Sequence, residues 1–230
     1  MIFKPKAIFF DWDHTLWDHD SNAKESLHEL FHEFKLHQNS SHSFESFFDQ
    51  YSAINHQLWE DYQYGRISQD ELRESRFRRV FEQISVQADH QSFGEQFLFR
   101  TPRKSKLLPG AREIIVALAQ KYPLYVLTNG FSDVQEIKVA GSGLKDYFQE
   151  VITSEEAKAK KPDAAFFQFA LNQANCLPQE ALMIGDHETI DVWGAEQVGI
   201  PAIHLCHSLQ SSQAKRKITD LLELRNWIEL

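Results

Sequence analysis

The feature that most constrains the fold is an alternation of short apolar segments with amphipathic helical segments, which runs from Leu108 to Cys206. The apolar segments have the composition of β-strands, and parallel strands need long crossover connections, usually helices. This alternation predicts an α/β fold, a doubly wound parallel sheet with helices on both faces. The predicted strands are KAIFFD, LYVLTNG, EVITS, ALMIGD and AIHLC, and helices are predicted over 108–122, 132–141, 163–175 and 190–199.

A long helical segment interrupts this pattern directly after the first strand. Residues 20–99 are rich in Gln, Glu, His, Phe and Leu, contain little Gly or Pro, and have the spacing of amphipathic helices. We therefore predict a Rossmann-like core made of residues 1–17 and 103–230, with an all-helical cap of residues 18–102 inserted into it. We expect the cap to stand over the ends of the strands.

The amino-acid composition argues against some classes of binding partner. The 230 residues include 24 Lys and Arg against 33 Asp and Glu, and the formal net charge of -9 argues against binding to nucleic acid polymers or anionic membranes. No apolar stretch has the length of a membrane span, and Cys176 and Cys206 show no pairing pattern. We expect a soluble cytoplasmic protein with two buried thiols. Both a monomer and a dimer remain open.

Polar side chains follow three of the predicted strands. Asp11 and Asp13 close the first strand, Thr128 and Asn129 close the second, and Asp186 closes ALMIGD. Ligands of doubly wound sheets bind beyond the carboxyl ends of the strands. The sequence therefore predicts one crevice that contains all of these groups.

Four motifs give this crevice a family resemblance. The segments DWDHT at 11–15, LTNG at 127–130, KKPD at 160–163 and GDHETID at 185–191 resemble, in order and spacing, the motifs of the haloacid dehalogenase superfamily. Several intervening phrases resemble its helical-cap subgroup, which includes house-cleaning 5'-nucleotidases. The resemblance implies a Mg²⁺-dependent phosphatase that acts on a small phosphorylated metabolite. Nucleoside 5'-monophosphates are the expected substrates, and sugar phosphates are the alternative.

Asp11 and Asp13 have different predicted roles in this chemistry. A carboxylate is ionised at neutral pH, so Asp11 can attack phosphorus directly and form an aspartyl-phosphate. Asp13 can protonate the departing alcohol and then take a proton from the hydrolytic water. A dehalogenase, which the same superfamily includes, has no use for this acid because halide leaves without a proton.

The remaining predicted site residues compensate the negative charge of the nucleophile and the phosphate. Lys161, as placed by its motif, neutralises the nucleophile and the phosphate, while Thr128 and the backbone around Asn129 donate hydrogen bonds to phosphate. Asp11 and Asp186 are the predicted Mg²⁺ ligands. The family resemblance implies the backbone carbonyl of Asp13 as a further ligand. Asp191 either binds the metal through water or orients Lys161. The chain departs from the family pattern at three positions, which are His14, Lys158 and Trp193.

Other interpretations remain open. The segment HELFH contains His28 and His32 in the H-E-x-x-H spacing of zinc proteases, although a confident third ligand is missing. A binding protein that keeps the fold without turnover is a third class. In the cap, arginines with aromatic neighbours can hold a nucleotide, but we interpret them as a solvated face that pairs with Glu71, Glu74 and Glu82. These arginines are Arg66, Arg73, Arg76, Arg78 and Arg79.

Overall fold

The computed structural model describes residues 2–39, 42–206, 210 and 212–230. The chain divides into two compact units, one formed by residues 1–19 and 104–230 and the other by residues 20–103. The boundaries predicted from the sequence are after residues 17 and 102. Among the described residues, no helix combines the length and the apolar character that a bilayer crossing needs.

The described part of the helical unit contains four complete helices and most of a fifth. They are α1 (His19–Glu33), α2 (Leu36–Asn39), α3 (Phe44–Gln63), α4 (Gln69–Gln83) and α5 (His90–Arg100), followed by a short 3₁₀ turn at Thr101–Arg103. Ser43, Ser68 and Asp89 cap the starts of α3, α4 and α5, because each side chain accepts a hydrogen bond from a backbone N–H of the first turn. Aromatic rings fill much of the interior, and Phe93 contacts the rings of Phe34, Phe47, Phe77 and Phe81.

The other unit is built on a six-stranded parallel sheet. Its strands are β1 (Ala7–Phe10), β2 (Leu124–Thr128), β3 (Phe148–Thr153), β4 (Ala181–Gly185), β5 (Ala202–Leu205) and β6 (Lys217–Ile218). They lie in the order β3-β2-β1-β4-β5-β6, and every neighbouring pair is parallel. The structure confirms the predicted doubly wound sheet. The two-residue β6 was not predicted because it is too short to form an alternating or apolar run.

Helices cover both faces of this sheet. They are α6 (Ala111–Ala119), α7 (Ser132–Gly141), α8 (Ser154–Ala157), α9 (Ala164–Gln173) and α10 (Gly194–Gln197), with a π-helical turn at Glu188–Trp193 and 3₁₀ turns at Lys145–Tyr147, Pro178–Glu180 and Leu221–Asn226. Ile8 and Phe10 pack into the cluster on one face, with α6, and Ala7 and Phe9 pack into the cluster on the other, with α9. This alternation is the period of a strand covered on both sides.

The position of β1 in the sheet determines where the polar residues emerge. Phe10 pairs with Val126 of β2 on one side and with Ile184 of β4 on the other. The chain therefore leaves β1, β2 and β4 side by side at one edge of the sheet. Cys206 is buried as expected, but Cys176 is only partly buried, so the expectation of two buried thiols is wrong for Cys176.

Candidate active site

Lys161 lies at the centre of the polar residues beyond β1, β2 and β4. Its ammonium group donates hydrogen bonds to Asp11 Oδ1 at 2.6 Å, to Asp191 Oδ1 at 2.7 Å and to the backbone oxygen of Leu127 at 2.7 Å. Only 1% of Lys161 is exposed to solvent. The three acceptors use all three ammonium hydrogens, so the position of the charge is fixed.

The backbone of Lys161 is held by the side chain of Asn129. The Asn129 amide accepts a hydrogen bond from Lys161 N–H at 2.8 Å and donates one to the Lys161 carbonyl at 2.9 Å. Asn129 thus links the end of β2 to the lysine loop. The side chain of Asn129 is occupied by these hydrogen bonds to Lys161. The predicted contact with phosphate concerns the backbone around Asn129.

Thr15 connects the acidic groups that follow β1 and β4. Its hydroxyl oxygen lies 3.1 Å from Asp11 Oδ2 and 3.1 Å from Asp186 Oδ1, and it accepts a hydrogen bond from the Asp186 N–H at 3.1 Å. The backbone N–H of Asp11 also donates to the carbonyl of Ile184 at 2.9 Å, which extends the pairing of β1 with β4 by one residue. The sequence pattern assigns no role to Thr15, the last residue of its motif.

Asp13 makes its contacts with α7 instead of with the other carboxylates. Lys138 Nζ donates to Asp13 Oδ1 at 2.6 Å, and Gln135 Nε2 donates to Asp13 Oδ2 at 2.7 Å. The Lys138 ammonium also lies 4.3 Å from the centroid of the Trp17 ring, a cation–π distance. Gln135 and Lys138 were missed from the sequence, although their i, i+3 spacing on the helix after LTNG places them on one face.

Two glycines are required by close side-chain contacts at the strand ends. A Cβ on Gly130 would lie 1.9 Å from Gln135 Nε2, the atom that binds Asp13. A Cβ on Gly185 would lie 2.4 Å from Asp191 Oδ2. Both distances are far below a van der Waals contact. These glycines therefore leave room for the side chains that contact Asp13 and Lys161.

The side chain of His204 contacts the backbone of Asp186. The buried ring of His204, on β5, has Nε2 at 2.7 Å from the backbone oxygen of Asp186 and Nδ1 at 2.6 Å from Ser212 Oγ. His204 pairs in register with Gly185. The only signal in the sequence was a histidine inside the apolar segment AIHLC, which does not indicate a contact with Asp186.

The three carboxylates near Lys161 form a candidate cation site. Oxygen atoms of Asp11, Asp186 and Asp191 lie within 4.8 Å of one another. A few carboxylates supplemented by water and substrate oxygens are the ligands that Mg²⁺ prefers. One ammonium group faces three carboxylates, so the local charge leaves room for a divalent cation. The Asp13 carboxylate is absent from this group, and the prediction for Asp13 concerned its backbone carbonyl.

The pKa values reflect this excess of negative charge. Burial raises the pKa of Asp11 to about 6 against the opposing charge of Lys161, with a further increase from Asp191. Burial, together with the charges of Asp11 and Asp191, also raises the pKa of Asp186 well above its usual range. Burial alone lowers the pKa of Lys161, but Asp11 and Asp191 outweigh it and raise that pKa. The single positive charge of Lys161 does not neutralise the three carboxylates. A bound divalent cation would supply the missing positive charge.

Asp13 shows the opposite behaviour. Burial alone raises its pKa, but the charges of Lys138 and His19 and the hydrogen bonds from Lys138 and Gln135 hold the pKa of Asp13 well below its usual range. The two aspartates of FFDWD, although two residues apart, thus occupy different electrostatic environments.

Comparison with known proteins identifies the family. The sequence profile of the haloacid dehalogenase-like hydrolases matches residues 5–199. The chain belongs to the haloacid dehalogenase-like hydrolases. It is 33% identical over 200 residues to pyrimidine 5'-nucleotidase PynA from Streptococcus pneumoniae, covering 86% of this chain and 82% of the relative. It is 34% identical over 194 residues to pyrimidine 5'-nucleotidase YjjG from Escherichia coli, covering 84% and 82%.

A solved structure shows the same fold. The crystal structure of the HAD-hydrolase YfnB from Bacillus subtilis, bound to magnesium, has a TM-score of 0.86 and 25% sequence identity to this chain, and the match covers 97% of this chain and 98% of that one. The Rossmann-like fold predicted from the sequence is thereby confirmed for this haloacid dehalogenase-like hydrolase.

The three departures from the family pattern have simple structural settings in this haloacid dehalogenase-like hydrolase. Lys158 ends α8 in the left-handed conformation, with φ of 53°, which accounts for the glycine expected there. His14 also has a positive φ, 64°, and its ring packs against His19 at 4.8 Å between centroids. Trp193 is 43% exposed, so its bulk extends into solvent.

The zinc-protease interpretation has little support. His28 and His32 are exposed neighbours on α1 with ring centroids 4.6 Å apart. In the part of the chain that the structure describes, the group of three or more metal-ligating side chains is the one formed by Asp11, Asp186 and Asp191. A third ligand for a catalytic zinc at His28 and His32 is therefore not found among these residues.

Gly185→Ala tests the packing that holds Asp191. The added methyl group must displace the Asp191 side chain, and we expect Mg²⁺ affinity to fall by about tenfold or more, the usual effect of disturbing groups around a metal site. Isothermal titration with MgCl₂ measures this. Gly141→Ala is the matched control, because a Cβ there meets nothing within 4 Å. Equal Mg²⁺ affinity in both variants would contradict the packing argument.

Proposed function

We propose that this hydrolase is a Mg²⁺-dependent phosphatase that cleaves nucleoside 5'-monophosphates, pyrimidine nucleotides foremost, through an aspartyl-phosphate. One observation carries the chemical part of the proposal. Asp11 is buried between a fixed ammonium group and two further carboxylates, while Asp13 is held separately by Lys138 and Gln135. This arrangement separates a nucleophile from an acid–base group. The substrate class is supported by the two 5'-nucleotidase relatives.

In the first half-reaction, a carboxylate oxygen of Asp11 attacks phosphorus in line with the ester oxygen. The new Asp11–phosphorus bond forms as the bond between phosphorus and the ester oxygen breaks. The departing oxygen takes a proton from Asp13 and leaves as an alcohol. This step requires the protonated form of Asp13 in the substrate complex, although Lys138 and Gln135 hold its pKa well below the usual range in the free protein. The Asp13 carboxylate that results is stabilised by Lys138 and Gln135, which already contact both of its oxygens.

In the second half-reaction, water attacks phosphorus and displaces the Asp11 carboxylate. Asp13 accepts the proton of this water, and inorganic phosphate and free Asp11 are regenerated. The Asp13 proton gained here replaces the one given up in the first half-reaction. One residue therefore serves both steps, and the protein returns to its starting state.

Charge stabilisation comes from groups whose positions are fixed before substrate arrives. Lys161 neutralises negative charge at Asp11 and on the phosphate oxygens. Thr128 Oγ1 accepts a hydrogen bond from Gly130 N–H at 3.0 Å, which leaves its own hydrogen to donate to phosphate. Asp11, Asp186, Asp191 and the Asp13 carbonyl are the groups proposed to hold Mg²⁺, directly or through water. When bound, Mg²⁺ supplies positive charge that polarises the phosphoryl oxygens.

We assign the role of cap domain to the helical unit of residues 20–103. The residues after β1, β2 and β4 carry out the chemistry in this proposal. A phosphatase for sugar phosphates is the second candidate, because the residues around Asp11 recognise the phosphoryl group in either case.

The first prediction separates phosphatase from dehalogenase chemistry. Asp11→Asn should abolish turnover of every ester. Asp13→Asn should slow turnover by about 10²–10⁴-fold, the usual contribution of a general acid–base group. The loss should be greater for an alkyl phosphate than for p-nitrophenyl phosphate, whose phenolate leaves without assistance. Steady-state phosphate release measures both. Equal losses for the two substrates, or faster halide release from 2-haloacids by the wild type, would contradict the role of Asp13.

A second prediction concerns the contact between Lys138 and Asp13. Lys138→Met removes the charge that stabilises and orients the Asp13 carboxylate, and we expect kcat for an alkyl phosphate to fall by about tenfold, with a smaller loss for p-nitrophenyl phosphate. Lys145→Met removes an exposed lysine of the same unit and serves as the control. If Lys138→Met lowers kcat equally for the alkyl phosphate and for p-nitrophenyl phosphate, Lys138 does not act through Asp13.

A third prediction concerns the cation. Excess chelator should remove activity and MgCl₂ should restore it, whereas Ca²⁺ should restore little, because its longer bonds and higher coordination number disturb the alignment at Asp11. Asp186→Ala should weaken Mg²⁺ binding measured by titration. Full activity in chelator would argue against a metal, and unchanged Mg²⁺ affinity in Asp186→Ala would remove Asp186 from the ligand set.

A panel of phosphorylated metabolites tests the substrate class. With Mg²⁺ present, we expect kcat/KM to be highest for UMP, CMP or dTMP and lower for purine nucleotides and for hexose and triose phosphates. If a sugar phosphate exceeds every nucleotide by about tenfold, which corresponds to 1.4 kcal/mol of transition-state binding, the nucleotidase proposal fails while the phosphatase proposal stands.

A further inference from the structure

The helical unit contains a buried arginine without a counter-charge. Arg76, on α4, is 5% exposed to solvent. Within the described residues it forms no hydrogen bond or ion pair, and its recorded contact is a cation–π approach of 5.7 Å to the Phe97 ring. Burial lowers the pKa of Arg76, with a further decrease from the nearby charge of Arg73. A buried guanidinium is expensive unless acceptors surround it.

The neighbouring arginines behave differently. Arg66 pairs with Asp61 at 2.9 Å, Arg78 with Glu82 at 3.2 Å, and Arg100 with Glu33 at 2.7 Å. The interpretation of the cap arginines as a solvated, paired face thus holds for Arg78, and Arg66 pairs with an acid on α3. It is wrong for Arg76, which is buried and forms no ion pair with an acid among the described residues.

Two further polar atoms, both on α3, also lack partners among the described residues. Tyr51, on α3, interacts electrostatically with Arg76, and its buried hydroxyl forms no hydrogen bond. Asn55 follows Tyr51 by one helical turn on the same face of α3, and its buried Oδ1 accepts no hydrogen bond. Burial raises the pKa of Tyr51 to about 12, so its hydroxyl stays protonated at neutral pH.

The unpaired atoms define the chemistry of a ligand. The guanidinium of Arg76 and the hydroxyl of Tyr51 are donors, which together suit the oxygen atoms of a phosphate or a carboxylate. Asn55 Oδ1 is an acceptor and requires a donor on the same molecule. The rings of Tyr51 and Phe97, with centroids 5.5 Å apart, form an apolar wall that strengthens these polar contacts by excluding water.

We propose that Arg76 and Tyr51, together with Asn55, bind a small oxyanion that carries a hydroxyl group. Hydrogen phosphate and hydroxycarboxylates belong to this chemical class. The site consists of residues of the helical unit alone, and it goes beyond the proposed phosphatase chemistry of Asp11 and Asp13. Failure of either proposal therefore leaves the other intact.

Arginine side-chain NMR on the full chain tests this site directly. With ¹⁵N-labelled arginine, the Arg76 Nε–H resonance is assigned by its loss in Arg76→Lys. Titration with inorganic phosphate should shift this resonance saturably, whereas sodium chloride at equal ionic strength should not. Tyr51→Phe should raise the phosphate Kd at this resonance by about tenfold, the effect of one hydrogen bond to a charged group. Arg78→Lys, the control, should leave the Kd unchanged.

Matched anions distinguish the sources of the oxyanion and the need for a hydroxyl group. Phosphate compared with sulfate, and glycolate compared with acetate, differ in the presence of a hydroxyl hydrogen. We expect the hydroxylated member of each pair to bind about tenfold more tightly. Tighter binding of phosphate than of glycolate would indicate a phosphate ligand, and the reverse a carboxylate. Equal binding within both pairs would overturn the role of Asn55, and no saturable shift with any of the four would overturn the site.

Thermal unfolding gives a second readout that a purely structural role of Arg76 would not produce. In buffer without oxyanions, Arg76→Met should have a Tm equal to or above that of the wild type, because it removes a buried charge that lacks a protein partner. Added phosphate should then raise the Tm of the wild type more than that of Arg76→Met, by ligand linkage. A variant that is strongly destabilised to the same degree with and without phosphate would overturn the proposal.

Discussion

The buried ammonium group of Lys161 is the interaction on which the candidate active site depends. It joins Asp11 after β1, Leu127 in β2 and Asp191 in the turn after β4, so one side chain connects three neighbouring strand ends. Without this charge, Asp11 and Asp191 would repel each other in a medium of low dielectric constant. The lysine makes it possible to bury the Asp11 carboxylate and still keep it ionised. Asn129, which binds the Lys161 backbone from both sides, fixes where this charge lies.

Most of the fold was predictable because the sequence of each strand and helix by itself indicates its secondary structure. The strands β1, β2, β4 and β5 are short apolar runs bounded by polar residues, and their order along the chain, together with the rule for parallel strands, gives the sheet. The helix over 132–141 was predicted with the bounds that α7 has. Helix starts were less accurate, since α6 begins at Ala111 rather than next to Pro109. The strand β6 could not be predicted, because two residues pair with β5 only after the rest of the sheet exists.

The candidate site divides in the same way between local and non-local information. Asp11, Lys161, Asp186 and Asp191 come together where the motifs indicated, because each lies at or near a strand end whose position the sheet determines. Gln135, Lys138 and His204 could not be identified, because nothing in their own segments shows which atoms they will meet. Arg76 is the opposite case. An amphipathic pattern indicates which side of a helix is polar. It does not reveal that a charged residue is buried and pairs with no acid in the part of the chain that the structure describes.

The central place of β1 in the sheet affects how the chain is made. Ala7 pairs with Ala181, and Ile8 pairs with Leu124, so the first strand has no neighbour in the sheet until slightly more than half of the chain has been synthesised. Residues 20–103 form a contiguous unit with its own hydrophobic cluster and have no such delay. On the ribosome the helical segment can therefore fold first, while the four apolar residues of β1 wait on its amino-terminal side. Because β1 is only four residues long, it exposes little apolar surface and few unpaired backbone groups during this delay. This limits aggregation with other nascent chains.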